Sequence, residues 1–115
     1  MIRPTRPISW VAAALREFRK FPSGAQAVCL TALTLAAEGL KSDLAKPLTG
    51  LGSGVFEIAL PFRGDAYRVV YAVQLGSDVW VVHSFQKKST KRIQTPRREI
   101  EVVRARLMRL REELG

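Results

Sequence analysis

The sequence predicts an α+β domain in which an antiparallel sheet is combined with an N-terminal helical hairpin and a C-terminal helix. Apolar residues recur at helical spacing up to residue 40, and between residues 55 and 85 they follow the two-residue period of a strand. Helical spacing of apolar residues returns after residue 95. The chain has 115 residues, 47% of them apolar, which suits a single domain over residues 1–115. Helices before and after a run of strands favour helices on one face of the sheet.

The N-terminal part predicts a short edge strand followed by two helices. Residues 7–12 are extended in character and follow two prolines. Helical spacing then predicts a first helix over residues 12–21, which Pro22 ends. Ser23 can cap a second, largely apolar helix that continues through Leu40. Two helices with so short a break between them indicate a helical hairpin.

A loop and a three-stranded meander follow the second helix. Residues 41–54 contain a proline and three closely spaced glycines, which indicates a loop. A phosphate-binding loop is disfavoured there, because a strand rather than a helix comes next. Short turns at residues 63–65 and 76–78 make the neighbouring strands antiparallel. The predicted strands are residues 55–60, 66–75 and 79–85.

The last element is an amphipathic helix. Thr95 is a suitable N-cap, and Pro96 suits the first helical position. Apolar residues then recur at three- and four-residue steps, which predicts packing on the sheet or on another helix. This stripe consists of Ile100, Val103, Leu107, Leu110 and Leu114.

Composition limits the compartment and the class of partner. A net charge of +9 favours nucleic acid, an anionic membrane surface or an acidic protein as partner. Cys29 is the one cysteine, which excludes an internal disulfide, predicts a reducing compartment and suits an inert core position. No secretory signal is visible and no apolar stretch is long enough to span a bilayer, so we expect a cytoplasmic protein without membrane contact.

The densest run of charge lies between the last strand and the last helix. Residues 87–98 contain six Lys/Arg and no acid. Cations placed where a sheet ends are suited to gripping a polyanion, and nucleic acid is the first candidate. A solvated basic loop would have the same composition.

The chain offers cations rather than a histidine pair or a metal site. It has one histidine, and no Cys/His or carboxylate cluster has metal-ligand spacing, so no metal or other cofactor is expected. Cations can nevertheless support RNA cleavage, because the ribose 2′-hydroxyl is an internal nucleophile. An arginine can neutralise the phosphorane, and a lysine can transfer protons. The cations near strand ends or turns are Arg63, Arg68, Lys87, Lys88, Lys91 and Arg92.

Two other polar side chains admit both a catalytic and a structural role. Glu57 can act as a base or orient Arg68, or it can form an ordinary ion pair on the face of a strand. His83 alternates with Val81 and Phe85, which favours a buried structural histidine, with a catalytic or base-stacking role as the alternative.

The aromatic residues are expected mainly in the core. Tyr71 shares a strand face with apolar neighbours, which favours a core position with the hydroxyl at its rim. Trp10 and Trp80 could stack bases, but packing roles are favoured at their positions.

Two segments of the chain together match the pattern of a known family. The first is Tyr67-Arg68-Val69-Val70-Tyr71, and the second is His-Ser-Phe-Gln-Lys-Lys-Ser over residues 83–89, followed by Thr95-Pro96. Lys-Pro-Leu at residues 46–48 and the Gly-Leu-Gly loop also fit. Over about residues 7–112 the chain thus resembles the RelE/HigB superfamily of type II toxins, most closely its phage-related HigB-like branch.

This resemblance implies a small α+β RelE-like fold and the activity of an endoribonuclease. Such toxins cleave translated mRNA, commonly on the ribosome, and thereby inhibit translation and growth. It also implies a cognate antitoxin, often a helix-turn-helix protein.

The resemblance also assigns roles to individual residues. Arg68 occupies the position of the strand arginine of RelE-type nucleases, and Lys87 and Lys88 match the basic pair after the last strand. Combined with the residues singled out above by charge and position, this gives an expected catalytic set of Arg68, Lys87, Lys88, Glu57 and His83 and an expected RNA-binding set of Lys46, Arg63, Lys91 and Arg92. The chain departs from many relatives at Ala59, where they carry an arginine.

Ala59 keeps a second function open. ParE-like relatives share the fold but act by binding DNA gyrase, without nuclease chemistry. A nuclease should depend on Arg68 and the two lysines, whereas a gyrase binder should depend on its helical surface.

Overall fold

A computed structural model describes residues 5–88 and 94–115 and confirms the α+β class. The described residues form three helices and a five-stranded sheet. The elements are β1 (Ile8–Trp10), α1 (Ala12–Phe18), α2 (Ser23–Ala37), β2 (Ala45–Pro47), β3 (Val55–Phe62), β4 (Asp65–Leu75), β5 (Asp78–Lys87) and α3 (Arg97–Leu114). Across these described ranges, no helix combines the length and the apolar character needed to cross a membrane.

The strand order in the sheet is β1-β5-β4-β3-β2. Its centre is the predicted meander, in which β3, β4 and β5 are antiparallel neighbours. β1 lies at the edge, as predicted, but it pairs in parallel with β5, so the sheet is mixed rather than wholly antiparallel. A parallel pair needs a long connection, and here the helices α1 and α2 and the other strands all lie between its two members.

The segment predicted as a loop contains the short strand β2. Its three residues pair with β3, from Ala45 opposite Ile58 to Pro47 opposite Phe56. Three residues are too few for an alternating pattern to be recognised in the sequence. The proline is tolerated because β2 is an edge strand.

The predicted helical hairpin is present as α1 and α2, but its details differ. Each helix ends three residues before the predicted limit. Ser23 does not cap α2, since Pro22 holds the N-cap position and no side chain caps the helix. Instead, the Gln26 amide donates hydrogen bonds to the carbonyls of Arg19 and Phe21 and so closes the connection between the helices.

Helices cover both faces of the sheet, so the expectation of one covered face is wrong. Alternate residues of β4 point to opposite faces. Val69 and Tyr71 belong to the core formed with α1 and α2, whereas Val70 and Ala72 belong to the core formed with α3. The apolar stripe of α3 shows that the helix packs on the sheet, but a stripe carries no information about which face it covers.

Cys29 and Tyr71 are buried core residues, as predicted. Burial raises the pKa of the Cys29 thiol to about 11 and that of the Tyr71 phenol to about 12. A thiol with a raised pKa is a poor nucleophile near neutral pH, which agrees with an inert Cys29.

A bulge in β5 decides the face on which His83 lies. Tyr71 pairs with Val81, but the preceding Val70 pairs with His83, so Val82 is the extra residue. Val81 therefore belongs to the core of α1 and α2, whereas His83 lies on the face covered by α3. The expectation that His83 and Val81 share a face is wrong for this reason.

The turn between β3 and β4 holds Arg63 in a strained conformation. Arg63 has φ 52° and Gly64 has φ 86°, the combination of a type I′ hairpin turn. The left-handed region is unfavourable for an arginine and better tolerated by asparagine.

We expect Arg63→Asn to raise the free energy of unfolding by about 0.5 kcal/mol, because Asn-Gly is the preferred pair in this turn. Urea denaturation measures the change. Arg19→Asn is the matched control, since Arg19 has φ −64° and no strain to relieve. A loss of stability in Arg63→Asn would contradict the assigned source of strain.

Candidate functional site

Strand pairing gathers most of the predicted site residues on one face of the sheet. Residues that pair directly across strands share a face, and every second residue of a strand returns to it. Glu57 pairs with Lys46 on one side and with Val70 on the other, and Val70 pairs with His83. Arg68 lies two residues before Val70 and so shares this face. The predicted site residues on the α3 face are Lys46, Glu57, Arg68, His83 and Lys87.

At the centre of this face, Glu57 and Arg68 form a buried ion pair. Arg68 Nη1 donates to Glu57 Oε1 over 2.9 Å. Arg68 is only 5% exposed and Glu57 only 8%. The Thr95 hydroxyl lies 2.9 and 2.8 Å from the two carboxylate oxygens and accepts from Arg68 Nη1 over 3.3 Å. We call these three residues the Glu57–Arg68–Thr95 cluster. Its hydrogen bonds compensate a buried carboxylate that would otherwise be very unfavourable.

Thr95 does not cap α3 as the sequence predicts. Pro96 holds the N-cap position, one residue before the helix begins, and no side chain caps the helix. The Thr95 hydroxyl is instead engaged with Glu57, which is 38 residues away in the sequence. Thr95 thereby ties the start of α3 to β3, and this long-range hydrogen bond overrides the local preference for a cap.

His83 is held by α3 through both ring nitrogens. Nε2 lies 2.9 Å from Glu99 Oε1, and Nδ1 lies 3.0 Å from Arg106 Nη1. Because arginine can only donate, Nδ1 is the acceptor, and Nε2 carries the proton that is donated to Glu99. Burial lowers the pKa of His83; the Arg106 charge lowers it further, and Glu99 opposes the change. A neutral imidazole with both nitrogens bonded supports the structural interpretation of His83.

A groove of about 490 Å³ lies beside the start of α3. Lys87 and Thr95 line it next to the cluster, while Arg97 and Arg104 line it from α3. Lys87, Arg97 and Arg104 are thus three cations in the lining, and Glu101 adds one carboxylate. We call this the cationic groove, because its lining carries a net positive charge.

Lys88, from the predicted catalytic set, and the predicted RNA-binding residues are distributed differently. Lys88 and Lys46 are exposed, and Lys46 is the cross-strand neighbour of Glu57. The Arg63 guanidinium lies 5.2 Å from the centre of the Phe62 ring, and Phe62 packs against the core of α1 and α2, so the structure does not bring Arg63 to the cluster. Two further predicted residues, Lys91 and Arg92, lie outside the described residues.

Sequence reasoning missed the contributions of α3 to this face. Glu99 and Arg106 are two helical turns apart, a spacing that places both on one side of a helix, and this signal could have pointed to a shared partner. Neither the partner, His83, nor the role of Thr95 could be read locally, because each hydrogen bond joins α3 or its start to a distant strand.

The arrangement is suited to binding and neutralising an anion. Arg68 carries a guanidinium fork of the shape that fits phosphate oxygens, but in this structure the fork is buried in the ion pair with Glu57. Lys87 is a proton donor in the adjoining cationic groove. Within residues 5–88 and 94–115, the His, Cys, Asp and Glu side chains form no group of three that could hold a metal ion.

The sequence matches the family model described as Phage derived protein Gp49-like (DUF891) over residues 16–108. The chain belongs to this Gp49-like family. The matched residues include the whole Glu57–Arg68–Thr95 cluster and the cationic groove. No curated protein matches this Gp49-like sequence significantly.

Solved structures identify the fold of this Gp49-like chain. A mutant of the Escherichia coli toxin RelE in the free state has a TM-score of 0.61 and 24% identity, covering 91% of this chain and 97% of that one. The isolated E. coli RelE toxin has a TM-score of 0.57 and 24% identity, covering 87% and 97%. The toxin–antitoxin complex RelBE2 from Mycobacterium tuberculosis has a TM-score of 0.50 and 22% identity, covering 74% and 94%. The predicted RelE-like fold is therefore confirmed.

The stability of this Gp49-like protein should fall as the pH drops below 6.5, the ordinary pKa of histidine. Because the pKa of His83 is lowered in the folded state, the unfolded chain takes up a proton first, and protonation favours unfolding. The His83 contribution is complete above the ordinary pKa and is lost as the pH falls towards the folded value.

His83→Gln removes this titration and should flatten the stability profile between about pH 7 and pH 5. Urea denaturation at each pH provides the measurement. Carboxylates titrate in both proteins, so their contributions to the pH dependence of the free energy of unfolding cancel when the two profiles are compared. Identical pH slopes for the two proteins would contradict the proposed linkage.

Proposed function

We propose that this protein is the toxin of a type II toxin–antitoxin system and that it cleaves translated mRNA on the ribosome in the cytoplasm. The observation that carries the proposal is the buried Glu57–Arg68–Thr95 cluster beside the cationic groove. The shared fold of the RelE toxins supports the class. The RelBE2 toxin–antitoxin complex supports a cognate antitoxin as partner, for which we expect a helix-turn-helix protein.

The proposed reaction requires no metal or other cofactor. The ribose 2′-oxygen attacks the adjacent phosphorus, so that the O2′–P bond forms and the P–O5′ bond breaks. The 2′-hydroxyl loses its proton to a water molecule, and a protonated lysine delivers another proton to O5′, which gives a 2′,3′-cyclic phosphate and a 5′-hydroxyl. Fixed cations lower the barrier by neutralising the phosphorane.

The catalytic roles follow from charge and position. Lys87 lines the groove and Lys88 is the exposed residue that follows it, and together they bind the phosphate and protonate the departing O5′. Arg68 stabilises the phosphorane, which requires its guanidinium to turn from Glu57 towards the phosphate. Thr95 keeps the Glu57 carboxylate hydrogen-bonded during this exchange, and Glu57 in turn orients Arg68 when RNA is absent.

The remaining predicted residues support the RNA or the scaffold. His83 acts by holding β5 to α3 rather than by proton transfer, because Glu99 and Arg106 occupy its nitrogens. Lys46 is an exposed cation beside Glu57 that can hold the RNA backbone. The other proposed backbone contacts are Arg63, Lys91 and Arg92.

Gyrase binding without nuclease activity is the second candidate function, and Ala59 favours it. The cross-strand neighbours of Arg68 are Ala59 on β3 and Phe85 on β5, so neither neighbouring strand places a second arginine beside it. The Glu57–Arg68 ion pair would then have a structural role alone. In that case the protein would arrest growth by loss of DNA supercoiling, and mRNA would remain intact.

Expression of the wild-type protein should halt protein synthesis and leave cuts within translated messages, which primer extension maps. Lys87→Ala/Lys88→Ala should reduce cleavage by about 100-fold or more, because charge neutralisation and proton donation are both removed. Thermal melting checks that the variant still folds.

Arg19→Ala/Lys20→Ala is the control for this experiment. It removes the same charge from exposed positions at the end of α1, whose core lies on the other face of the sheet. Growth arrest with intact messages and altered DNA supercoiling would contradict the nuclease and favour gyrase binding.

Arg68→Lys should retain the fold and reduce cleavage by about 100-fold. A lysine preserves a positive charge beside Glu57 but lacks the fork that binds two phosphate oxygens. Arg68→Ala is the contrasting variant, because it leaves the carboxylate buried without its cation and should destabilise the protein by about 3–5 kcal/mol. Full cleavage by a folded Arg68→Lys protein would exclude a catalytic role for the arginine fork.

A further inference from the structure

A second groove, of about 530 Å³, lies between α1 and α3 and plays no part in the proposed reaction. Trp10 and Trp80 line it, and they are the two tryptophans of the chain. We call it the tryptophan groove. Arg104 lines the cationic groove, and Arg106 lines the tryptophan groove. Residues two positions apart on an α-helix point in directions about 200° apart around its axis. The two grooves therefore lie on opposite flanks of α3.

Arginines from two helices surround the indoles. Arg16 comes from α1, and Arg106 and Arg109 come from α3, with Glu113 as a carboxylate in the lining. Burial lowers the pKa of Arg106, and the charges of Arg16 and Arg109 lower it further, while nearby carboxylates offset part of this effect. The groove thus carries a net positive charge beside its aromatic surface.

Arg106 is fixed at the base of the tryptophan groove by hydrogen bonds to β5. Its Nη1 donates to the carbonyl of Val82 over 3.0 Å and to His83 Nδ1. Arg16 and Arg109 are exposed, which leaves them accessible to a ligand. The groove therefore has one arginine whose position is fixed by hydrogen bonds and two exposed arginines whose side chains can adjust to a ligand.

This combination fits a nucleobase flanked by phosphates. Indole faces provide stacking surfaces for any base, and arginines bind phosphate oxygens and also stack. Ala12 and Ala13 form part of the α1 wall. Trp10 already packs against Phe18, with 4.9 Å between the ring centres, so Trp80 is the indole that a base can stack on. An amphipathic helix from a protein partner would require a longer row of apolar anchors at three- and four-residue steps.

We propose that the tryptophan groove binds single-stranded RNA, with a base stacked on Trp80 and the flanking phosphates held by Arg16 and Arg109. This site is separate from the cationic groove and does not require Lys87 or Lys88. RNA is thereby anchored on one flank of α3 independently of any cleavage on the other.

Tryptophan fluorescence tests the site directly, because both tryptophans line this groove. The probe is a single-stranded RNA of about eight nucleotides whose 2′-hydroxyls are methylated, so that 2′-OH attack cannot occur. We expect saturable quenching with the wild-type protein. Arg16→Ala/Arg109→Ala should weaken binding by about 10-fold and reduce the slope of log K against log salt by about 1.4, since each phosphate that an arginine neutralises adds about 0.7 to that slope.

Two control variants separate this site from general charge and from the cleavage proposal. Arg19→Ala/Lys20→Ala removes the same charge outside the groove and should retain most of the quenching affinity. Lys87→Ala/Lys88→Ala should also retain it, even if mRNA cleavage is abolished or never observed. Retention in both controls, together with weakened binding in Arg16→Ala/Arg109→Ala, supports the proposal.

Three results would overturn it. The first is RNA binding detected by fluorescence anisotropy of a labelled probe without any tryptophan quenching. The second is quenching that survives unchanged in Arg16→Ala/Arg109→Ala. The third is equal quenching by polyglutamate at the same concentration, which would assign the groove to an acidic protein segment.

Discussion

The buried ion pair between Glu57 and Arg68 constrains much of the surrounding structure. Two charges removed from water are tolerated only when their hydrogen-bonding groups have partners. Thr95 supplies one such partner from the start of α3, so the helix must begin where its preceding residue can reach β3. The cationic groove exists because α3 is held at this point over the sheet.

The helix α3 is attached to the sheet by two polar interactions of different kinds. At its start, Thr95 joins it to the buried ion pair, and one turn later Glu99 accepts from His83. The second interaction depends on the bulge in β5, which turns His83 towards α3 rather than towards the other core. Together they fix the position of α3 along the sheet, while its apolar stripe supplies the bulk of the burial.

Local patterns predicted the meander and the three helices, because alternation of apolar and polar residues and helical spacing are properties of short segments. The strand β2 escaped prediction because three residues show no period, and the bulge at Val82 escaped because it breaks the alternation that the prediction assumed. Thr95 was predicted as a cap on good local grounds, but a distant carboxylate changed its role. The pairing of Glu99 and Arg106 with His83 depends on which face α3 covers, and sequence periodicity does not specify that face.

The parallel pairing of β1 with β5 also sets the order in which the molecule can fold. Arg6 donates from Nε to the carbonyl of Ser77, 71 residues further along the chain, and from Nη2 to the carbonyls of Val73 and Asp78. Such distant hydrogen bonds form late, because loop closure costs entropy before the interactions compensate for it. During synthesis the first strand must wait for the last one, and α3 emerges later still. A nascent chain therefore lacks both flanking grooves until α3 itself has been synthesised.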